Sequence, residues 1–422
     1  MLTLKEGTRL IQTLKNKKNK QYTLMNTLIN FDCTINKTGA KIIKMIYKCG
    51  SDKKLLKIIN DNSEFVDTLK QAGIIVESQE KISNDKKVFI STKSPRLPLS
   101  CLNIELTNGC NLRCIHCYGK FGNKKKDIKF IDKEKLFSLI PSLNLLNCKA
   151  VSFTGGESTL HPDFLEIVER FLLNGFEITI FTNGFISDKI IKLVEKYPTY
   201  KFVFKISIDG FQETHDKIRG REGSYDSVIK LLDILSNYTA YDVYLSNTIM
   251  KSNIDQVKEF EGFILNKYPR FHYTKDLIFP LGNGLGESFT AKEFDCVYNK
   301  CQSLFMSPDS QKKKNRCSGG ISQCTIMPNG KLKICNGACD PRFYFKNNAF
   351  EVGLIRAWYD CGKNLKYYRN EKNKSTSKCK NCKMKANCTM TDCRIIALAY
   401  SGDEKKNSLI TCYSTQKKQN NN

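Results

Sequence analysis

Three cysteines in one short stretch carry the densest chemistry in the chain. Cys110, Cys114 and Cys117 lie in the run Glu105-Leu-Thr-Asn-Gly-Cys-Asn-Leu-Arg-Cys-Ile-His-Cys-Tyr118, a C-x3-C-x2-C spacing. Three thiolates this close can hold three corners of a cubane iron–sulfur cluster, whose usual protein ligands are four cysteines. The missing fourth ligand leaves one iron open to a small molecule. A structural zinc site is the alternative, but such sites are normally closed by four ligands. No fourth cysteine follows nearby, and His116 is too cramped between Cys114 and Cys117 to join them.

A second set of cysteines lies near the C-terminus. Cys317-x6-Cys324 leads to Gly330 and, four residues on, to Cys335; Cys379-x2-Cys382-x5-Cys388-x4-Cys393 follows, and then Cys412. Eight thiolates make two closed four-cysteine sites, and spacing alone leaves zinc and iron open. The chain has 19 cysteines and only 4 histidines. Clustered C-x2-C spacings favour metal over disulfides, and scarce histidine favours thiolate-bound iron. Cys33, Cys49, Cys101, Cys148, Cys296, Cys301 and Cys361 fit no cluster pattern and read as buried or incidental thiols.

The central residues must position the first cysteine loop. β-type runs are predicted at 102–107, 150–154, 177–182, 202–208 and 241–250, with a sixth starting at Leu277-Ile-Phe-Pro280. Helical patterns at 163–174, 188–196 and 225–237 separate them. Repeated βα units predict a parallel sheet, doubly wound or closed as a barrel. The polar motifs all follow strand ends: the cysteine loop, Gly155-Gly156-Glu157, Asn183, and Ser207-x-Asp209. In βα barrels that face carries the active site, so these motifs should converge. Paired glycines let backbone approach a ligand closely, and Glu157 can accept a hydrogen bond from an ammonium group.

The flanks and the composition set bounds. A chain of 422 residues has room for two or three domains. Residues 20–90 read as short strands, three helices and a returning strand, a winged-helix-like order. Such a module and a net charge of +26 together describe a DNA-binding regulator with a metal-sensing tail. Against that, the lysine-rich runs (Lys15–Lys20, Lys124–Lys126, Lys312–Lys314) are scattered, no basic–aromatic stripe appears, and no nucleic-acid partner is expected. No apolar run reaches the length of a membrane span, and the basic N-terminus lacks the apolar core of a signal peptide. The expectation is a cytoplasmic protein with no membrane partner.

The stretch Cys110-Asn-Leu-Arg-Cys114-Ile-His-Cys117 resembles the signature of radical S-adenosylmethionine (SAM) enzymes. The resemblance implies a [4Fe–4S] cluster whose open iron is chelated by the amino and carboxylate groups of SAM. One electron would then split SAM into methionine and a 5′-deoxyadenosyl radical. Gly155-Gly156-Glu157 looks like the family's motif for the SAM amino group. Asn183, Ser207 and Asp209 fall where the family contacts SAM, Asp209 as acceptor for ribose hydroxyls. Arg219, preferred over Arg221, resembles an arginine for the SAM carboxylate, to which a guanidinium is well matched. His161 and His215 read as structural.

The C-terminal cysteines resemble the SPASM extension of that family, with two auxiliary [4Fe–4S] clusters. Carried over, Cys317, Cys324, Cys335 and Cys393 bind the first, and Cys379, Cys382, Cys388 and Cys412 the second. The x4 interval before Cys393 departs from the more usual x3, and Cys339 competes as a ligand. If all eight bind, neither cluster has an open iron, and both would carry electrons rather than hold substrate. The N-terminal order resembles the leader-peptide recognition domains of peptide maturases, which add a peptide strand to a sheet edge. The implied fold is α/β: a partial (β/α)6 TIM-like barrel (residues 96–300) between a winged-helix-like module (1–95) and a cysteine-rich iron–sulfur domain (301–422). The implied function is a radical SAM maturase of a ribosomally made precursor peptide, closest to the sactipeptide synthases, which form Cys sulfur-to-α-carbon thioethers. Its expected partners are that precursor, held by its leader, and a low-potential electron donor of flavodoxin or ferredoxin type. Rival activities on this scaffold are peptide epimerisation, carbon–carbon crosslinking and sulfatase maturation.

Overall fold

The computed structural model describes residues 2–14, 20–29, 31–49, 53–77, 88–90, 95–123, 127–301, 317–369, 393–404 and 406. The expected ligands Cys379, Cys382, Cys388 and Cys412 lie outside them.

The N-terminal residues build a module with its own core. Strands β1 (Leu2–Leu4), β2 (Thr8–Leu14), β3 (Lys20–Asn26) and β4 (Phe31–Ile35) precede three helices, α1 (Lys37–Cys49), α2 (Lys53–Asn60) and α3 (Ser63–Gln71). Strands β5 (Ile75–Glu77) and β6 (Phe89–Ile90) follow. One sheet has the order β4-β3-β2-β6, and β1 pairs with β5. Helical spacing places Ile42, Ile43 and Ile46 of α1 and Val66 and Leu69 of α3 against Leu10, Leu24 and Ile35 of the strands. β3 to β5 and the three helices follow the sequence pattern. β1 and β2 arise in a basic stretch with no predicted element; their apolar residues Leu4 and Leu10 are buried in the same cluster as the helices.

A buried arginine ties this module to the central domain. Arg9 on β2 is fully buried and donates from Nη2 to Asn144 Oδ1 (2.9 Å) and to the Cys148 carbonyl (2.5 Å). Its guanidinium stacks 4.3 Å from the Phe176 ring. Burial drags its pKa down to about 10, the cost of desolvating a cation that these contacts offset.

The central strands are β7 (Cys101–Thr107), β8 (Ala150–Gly155), β9 (Glu177–Thr182), β10 (Val203–Ser207), β11 (Asp242–Ile249) and β12 (His272–Leu277). All pair in parallel, in sequence order. The β/α alternation and six parallel strands stand as expected. The sixth strand starts and ends earlier than its apolar signal: Leu277 closes β12, and the Ile278-Phe279-Pro280 run leads into the turn after it. Proline has no amide proton for the ladder, which disfavours continuing the strand.

Period-two alternation sorts the side chains. Leu102, Ile104 and Leu106 of β7 and Val151 and Phe153 of β8 face a helical layer and pack with Phe164, Ile167 and Phe171 of the helix Phe164–Leu173. Each large apolar side chain so buried contributes about 1.5–3 kcal/mol. Asn103, Glu105, Thr107, Ser152 and Thr154 take the other face and are also buried. The parallel sheet is therefore covered on both sides, with polar groups lining one.

The sheet does not stop at the expected boundary near residue 300. β13 (Gln323–Ile326) adds to β7 in parallel, and β14 (Lys331–Lys333) and β15 (Tyr344–Asn348) extend it antiparallel, giving nine strands. Lys333 of β14 meets Glu105 of β7 at 2.6 Å, both side chains nearly solvent-free. Residues 323–348 are thus part of the central sheet.

Candidate functional site

The cysteine loop leaves β7 and is clamped from three sides. Gly156 N–H donates to the Thr107 carbonyl (2.9 Å) and Glu157 N–H to the Gly109 carbonyl (2.9 Å), joining the loop to the end of β8. Arg113 and Ile115 donate to the carbonyls of Arg219 and Ile218 (3.1 and 3.0 Å), the last residues of the helix Gln212–Arg219. After β12, Asn283 donates its N–H to the Cys117 carbonyl (3.0 Å) and its Nδ2 to the Cys114 carbonyl (3.2 Å). The expected convergence at the strand ends is present for Gly155, Gly156, Glu157, Asn183, Asp209 and Arg219; Ser207 is half-buried at the end of β10.

The roles of these residues differ from a simple list of cofactor contacts. A Cβ on Gly156 would sit 2.0 Å from the Gly109 carbonyl oxygen, and one on Gly155, at φ +127°, would sit 2.2 Å from the Thr107 oxygen. The paired glycines admit the close approach of the cysteine loop. Glu157 is buried and fully engaged: Oε1 accepts from Thr159 N–H (3.2 Å), Thr159 Oγ1 (2.8 Å) and Thr182 Oγ1 (3.0 Å), and Oε2 from Asn183 N–H (2.8 Å). It braces the ends of β8 and β9. Asn183 Nδ2 in turn donates to Asn111 Oδ1 (2.8 Å) and lies 3.8 Å from Cys110 Sγ.

Asp209 and Arg219 face each other. The Arg219 Nη2–Asp209 Oδ2 distance is 2.7 Å, and Arg219 Nη1 lies 3.7 Å from Cys114 Sγ. Asp209 Oδ1 accepts from Thr248 N–H (3.0 Å). Burial acts to raise the Asp209 pKa, but Arg219 and the nearby histidines outweigh it, and the carboxyl is held below its usual range. His116 Nε2 is 4.0 Å from Asp209 Oδ2, and His215 Nδ1 accepts from the Asp209 N–H (3.1 Å). Burial drives both imidazoles down to about 4, so both are neutral. His161 bonds the Ile131 carbonyl and the Asp163 N–H, a structural role as expected. Arg221 stacks on the Phe185 ring.

Sequence reasoning missed His116 as an Asp209 neighbour, Thr159 and Thr182 as Glu157 partners, and Asn283. Only Asn283 carried a signal, standing between Gly282 and Gly284 where a turn must approach the loop.

The residues present fit a cluster with a small polar ligand. The donors are three thiols on one loop, soft ligands suited to iron–sulfur chemistry. Burial pushes Cys110 up to about 12 and Cys114 upward, against the pull of Arg219, so metal binding there would release protons. Around the loop, buried Asn111 Nδ2, His116 Nδ1 and Arg219 Nε lack a hydrogen-bond partner. Among the described residues, no three His, Cys, Asp or Glu side chains group tightly enough for a single metal ion.

Near the C-terminus the structure gathers Cys317, Cys335 and Cys393. Burial and the neighbouring thiols of Cys393 and Cys317 push Cys335 up to about 12. Cys324 does not join them. It pairs in register with Leu102, is fully buried in the apolar core, and has Cys148 and Cys101 as its thiol neighbours. Strand parity is the reason: as the register partner of Leu102, Cys324 shares its apolar face, whereas Cys335 lies beyond the end of β14. Of the four cysteines expected at the first auxiliary site, three are thus neighbours and Cys324 stands apart from them. Cys339 is exposed, its Sγ 3.5 Å from the Tyr118 carbonyl beside the first cysteine loop.

Known proteins share this arrangement. Mycofactocin maturase MftC of Mycolicibacterium smegmatis is 27% identical over 278 residues, 61% of this chain and 69% of that protein. The antilisterial bacteriocin subtilosin biosynthesis protein AlbA of Bacillus subtilis is 25% identical over 260 residues, 58% of this chain and 56% of AlbA. Streptococcus suis SuiB, solved bound to S-adenosylmethionine, has the same fold with a TM-score of 0.63 at 15% identity, over 97% of this chain and 99% of SuiB. Residues 104–264, from β7 to the helix after β11, match the radical SAM superfamily, and the chain therefore carries a radical SAM domain, with its cysteine loop at the head of the parallel strands.

Proposed function

We propose that this chain is a radical SAM maturase that modifies a ribosomally synthesised precursor peptide by forming Cys sulfur-to-α-carbon thioether bonds. One observation carries the reading: the three-thiol loop is locked among the strand ends by Gly156, Glu157, Asn283 and the end of the helix Gln212–Arg219. Similarity to two peptide-biosynthesis proteins, MftC and AlbA, supports a peptide substrate, as does the fold shared with SuiB, which has also been solved with its precursor peptide SuiA.

Cys110, Cys114 and Cys117 would hold a [4Fe–4S] cluster, and SAM bound there supplies hydrogen-atom abstraction after one-electron reduction. The chain's residues do the rest. Glu157 and Asn183 fix the loop's position, with Asn183 beside Cys110. Buried neutral His116 and His215, with Asp209 and Arg219, form the polar wall on the other side. Ser207 and the unpartnered Asn111 Nδ2, His116 Nδ1 and Arg219 Nε would be groups available to SAM. At the peptide, an α-carbon would lose a hydrogen atom and then one electron, a cysteine thiol would lose its proton, and the carbon–sulfur bond would form. Cys317, Cys335 and Cys393 would be the thiols that hold an auxiliary centre, which would supply a one-electron acceptor. The N-terminal sheet, with β4 at one edge, would take the leader as an added strand.

The test is anaerobic reconstitution followed by SAM, dithionite and candidate cysteine-containing precursors. About twelve irons per chain, 5′-deoxyadenosine and a product lighter by about two hydrogens per bond are expected. About four irons with SAM cleavage would keep the radical enzyme and remove the auxiliary clusters. Epimerised peptide of unchanged mass would overturn thioether formation. No iron and no cleavage would overturn the reading entirely.

A further inference from the structure

We propose that Arg219, held by Asp209, positions Cys114 and sets the reduction potential of the centre carried by the cysteine loop, instead of anchoring the carboxylate of SAM. The inference rests on the cluster reading above and gives a role to the one buried ion pair beside the loop.

The geometry commits both terminal nitrogens of Arg219. Nη2 lies 2.7 Å from Asp209 Oδ2 and Nη1 lies 3.7 Å from Cys114 Sγ. Both side chains are almost solvent-free, 6% exposed for Arg219 and 0% for Asp209. Anchoring a carboxylate through both guanidinium terminal nitrogens would require breaking one of these contacts. Asp209 cannot readily yield: Oδ1 accepts from Thr248 N–H (3.0 Å), and its carbonyl accepts from Asn253 Nδ2 (2.9 Å).

The backbone places the guanidinium with equal firmness. The residues flanking Cys114, Arg113 and Ile115, both hydrogen-bond to the helix end at Arg219 and Ile218. Helix end, arginine and cysteine therefore move as one body. Partners behind the first ligands fix their orientation and tune a metal, and hydrogen bonds to cluster sulfurs are among the levers that set iron–sulfur potentials. A permanent cation against a thiolate favours the reduced, more negative state. Arginine suits this because it keeps its charge when buried, and Asp209 tempers the field.

The full-length chain would be reconstituted anaerobically as wild type, Arg219→Gln, Arg219→Lys and Asp209→Asn. Each would be titrated with dithionite under EPR, following the reduced-cluster signal that changes on adding SAM, and SAM affinity would be measured separately. Arg219→Gln should keep its iron, shift that potential to more negative values, and change SAM affinity by less than about threefold. Arg219→Lys should restore part of the shift, and Asp209→Asn should move the potential the other way. An unmoved potential in Arg219→Gln, with SAM affinity down about tenfold or more, would overturn the proposal in favour of a carboxylate anchor. Should Arg219→Gln not load iron, the other two variants decide: opposite or graded shifts uphold the proposal, and unmoved potentials in both overturn it. A wild-type chain that takes up no iron would overturn this proposal together with the cluster reading.

Discussion

At the scale of single residues, the site is a set of buried polar groups that satisfy one another. Glu157 with its four donors shows how little slack there is. Gly156 shows it sterically: Gly156→Ala must drive the cysteine loop off β8, because the obstacle is a backbone oxygen 2.0 Å away. The expected loss is about 1–3 kcal/mol or more in urea unfolding, with iron uptake at the loop falling alongside. His215 makes a pH prediction. Its pKa falls from 6.5 to about 4, chiefly through burial, and its Nδ1 accepts from the Asp209 amide, so the ring is neutral when folded. Between those two values the unfolded chain binds a proton that the folded chain does not. Stability should therefore fall as pH drops from about 6.5 to about 4, and His215 should contribute nothing to the pH dependence above that window. In His215→Gln the slope should shrink by up to about 1.4 kcal/mol per pH unit, read from urea midpoints across the window.

At the scale of elements, strand parity and strand ends decide which cysteines can meet. Cys324 and Cys335 are both expected ligands, yet Cys324 faces the apolar core with Leu102, while Cys335 lies past the end of β14 beside Cys317 and Cys393. Cys335→Ala should cost the chain about four irons. Cys324→Ala should leave the iron count unchanged and lower stability modestly, as for a small buried hydrophobe. Iron and sulfide assays with a thermal melt separate the two. The same parity explains what the sequence could reveal. The alternating and helical patterns of residues 100–267 were legible because each strand carries apolar residues on one face and each helix an apolar stripe. The separation of Cys324 from Cys335 was not legible, because spacing along a chain does not say which way a strand residue points. Asp209 and Arg219 were found as site residues, but their mutual pairing was invisible: two charges ten residues apart give no sign that a helix end folds one onto the other. β1 and β2 were missed because basic residues surround short apolar alternations.

At the scale of the molecule, buried polar anchors tie the N-terminal module and the strands β13–β15 to the central sheet. Arg9 is one. Arg9→Ala would strip partners from Asn144 Oδ1 and the Cys148 carbonyl, at about 3 kcal/mol for lost hydrogen bonds to a charged group. The N-terminal module has its own apolar cluster, so it should stay folded but come loose. Limited proteolysis should cut between residues 78 and 100 sooner than in wild type, while fluorescence of the single tryptophan, Trp358 in the main core, keeps its urea midpoint. β13 has a different kind of consequence. Asn103 of β7 reaches Thr325 of β13 across a sequence separation of 222. During synthesis, the edge of β7 must therefore wait for more than half the chain to be made. Until then the nascent barrel presents an unsatisfied strand edge, a template for wrong pairing. Such distant contacts make folding slow and aggregation-exposed. Expression should accordingly respond strongly to lower temperature and chaperones, and a chain cut at residue 300 should be recovered mainly as aggregate, however sound its own βα units.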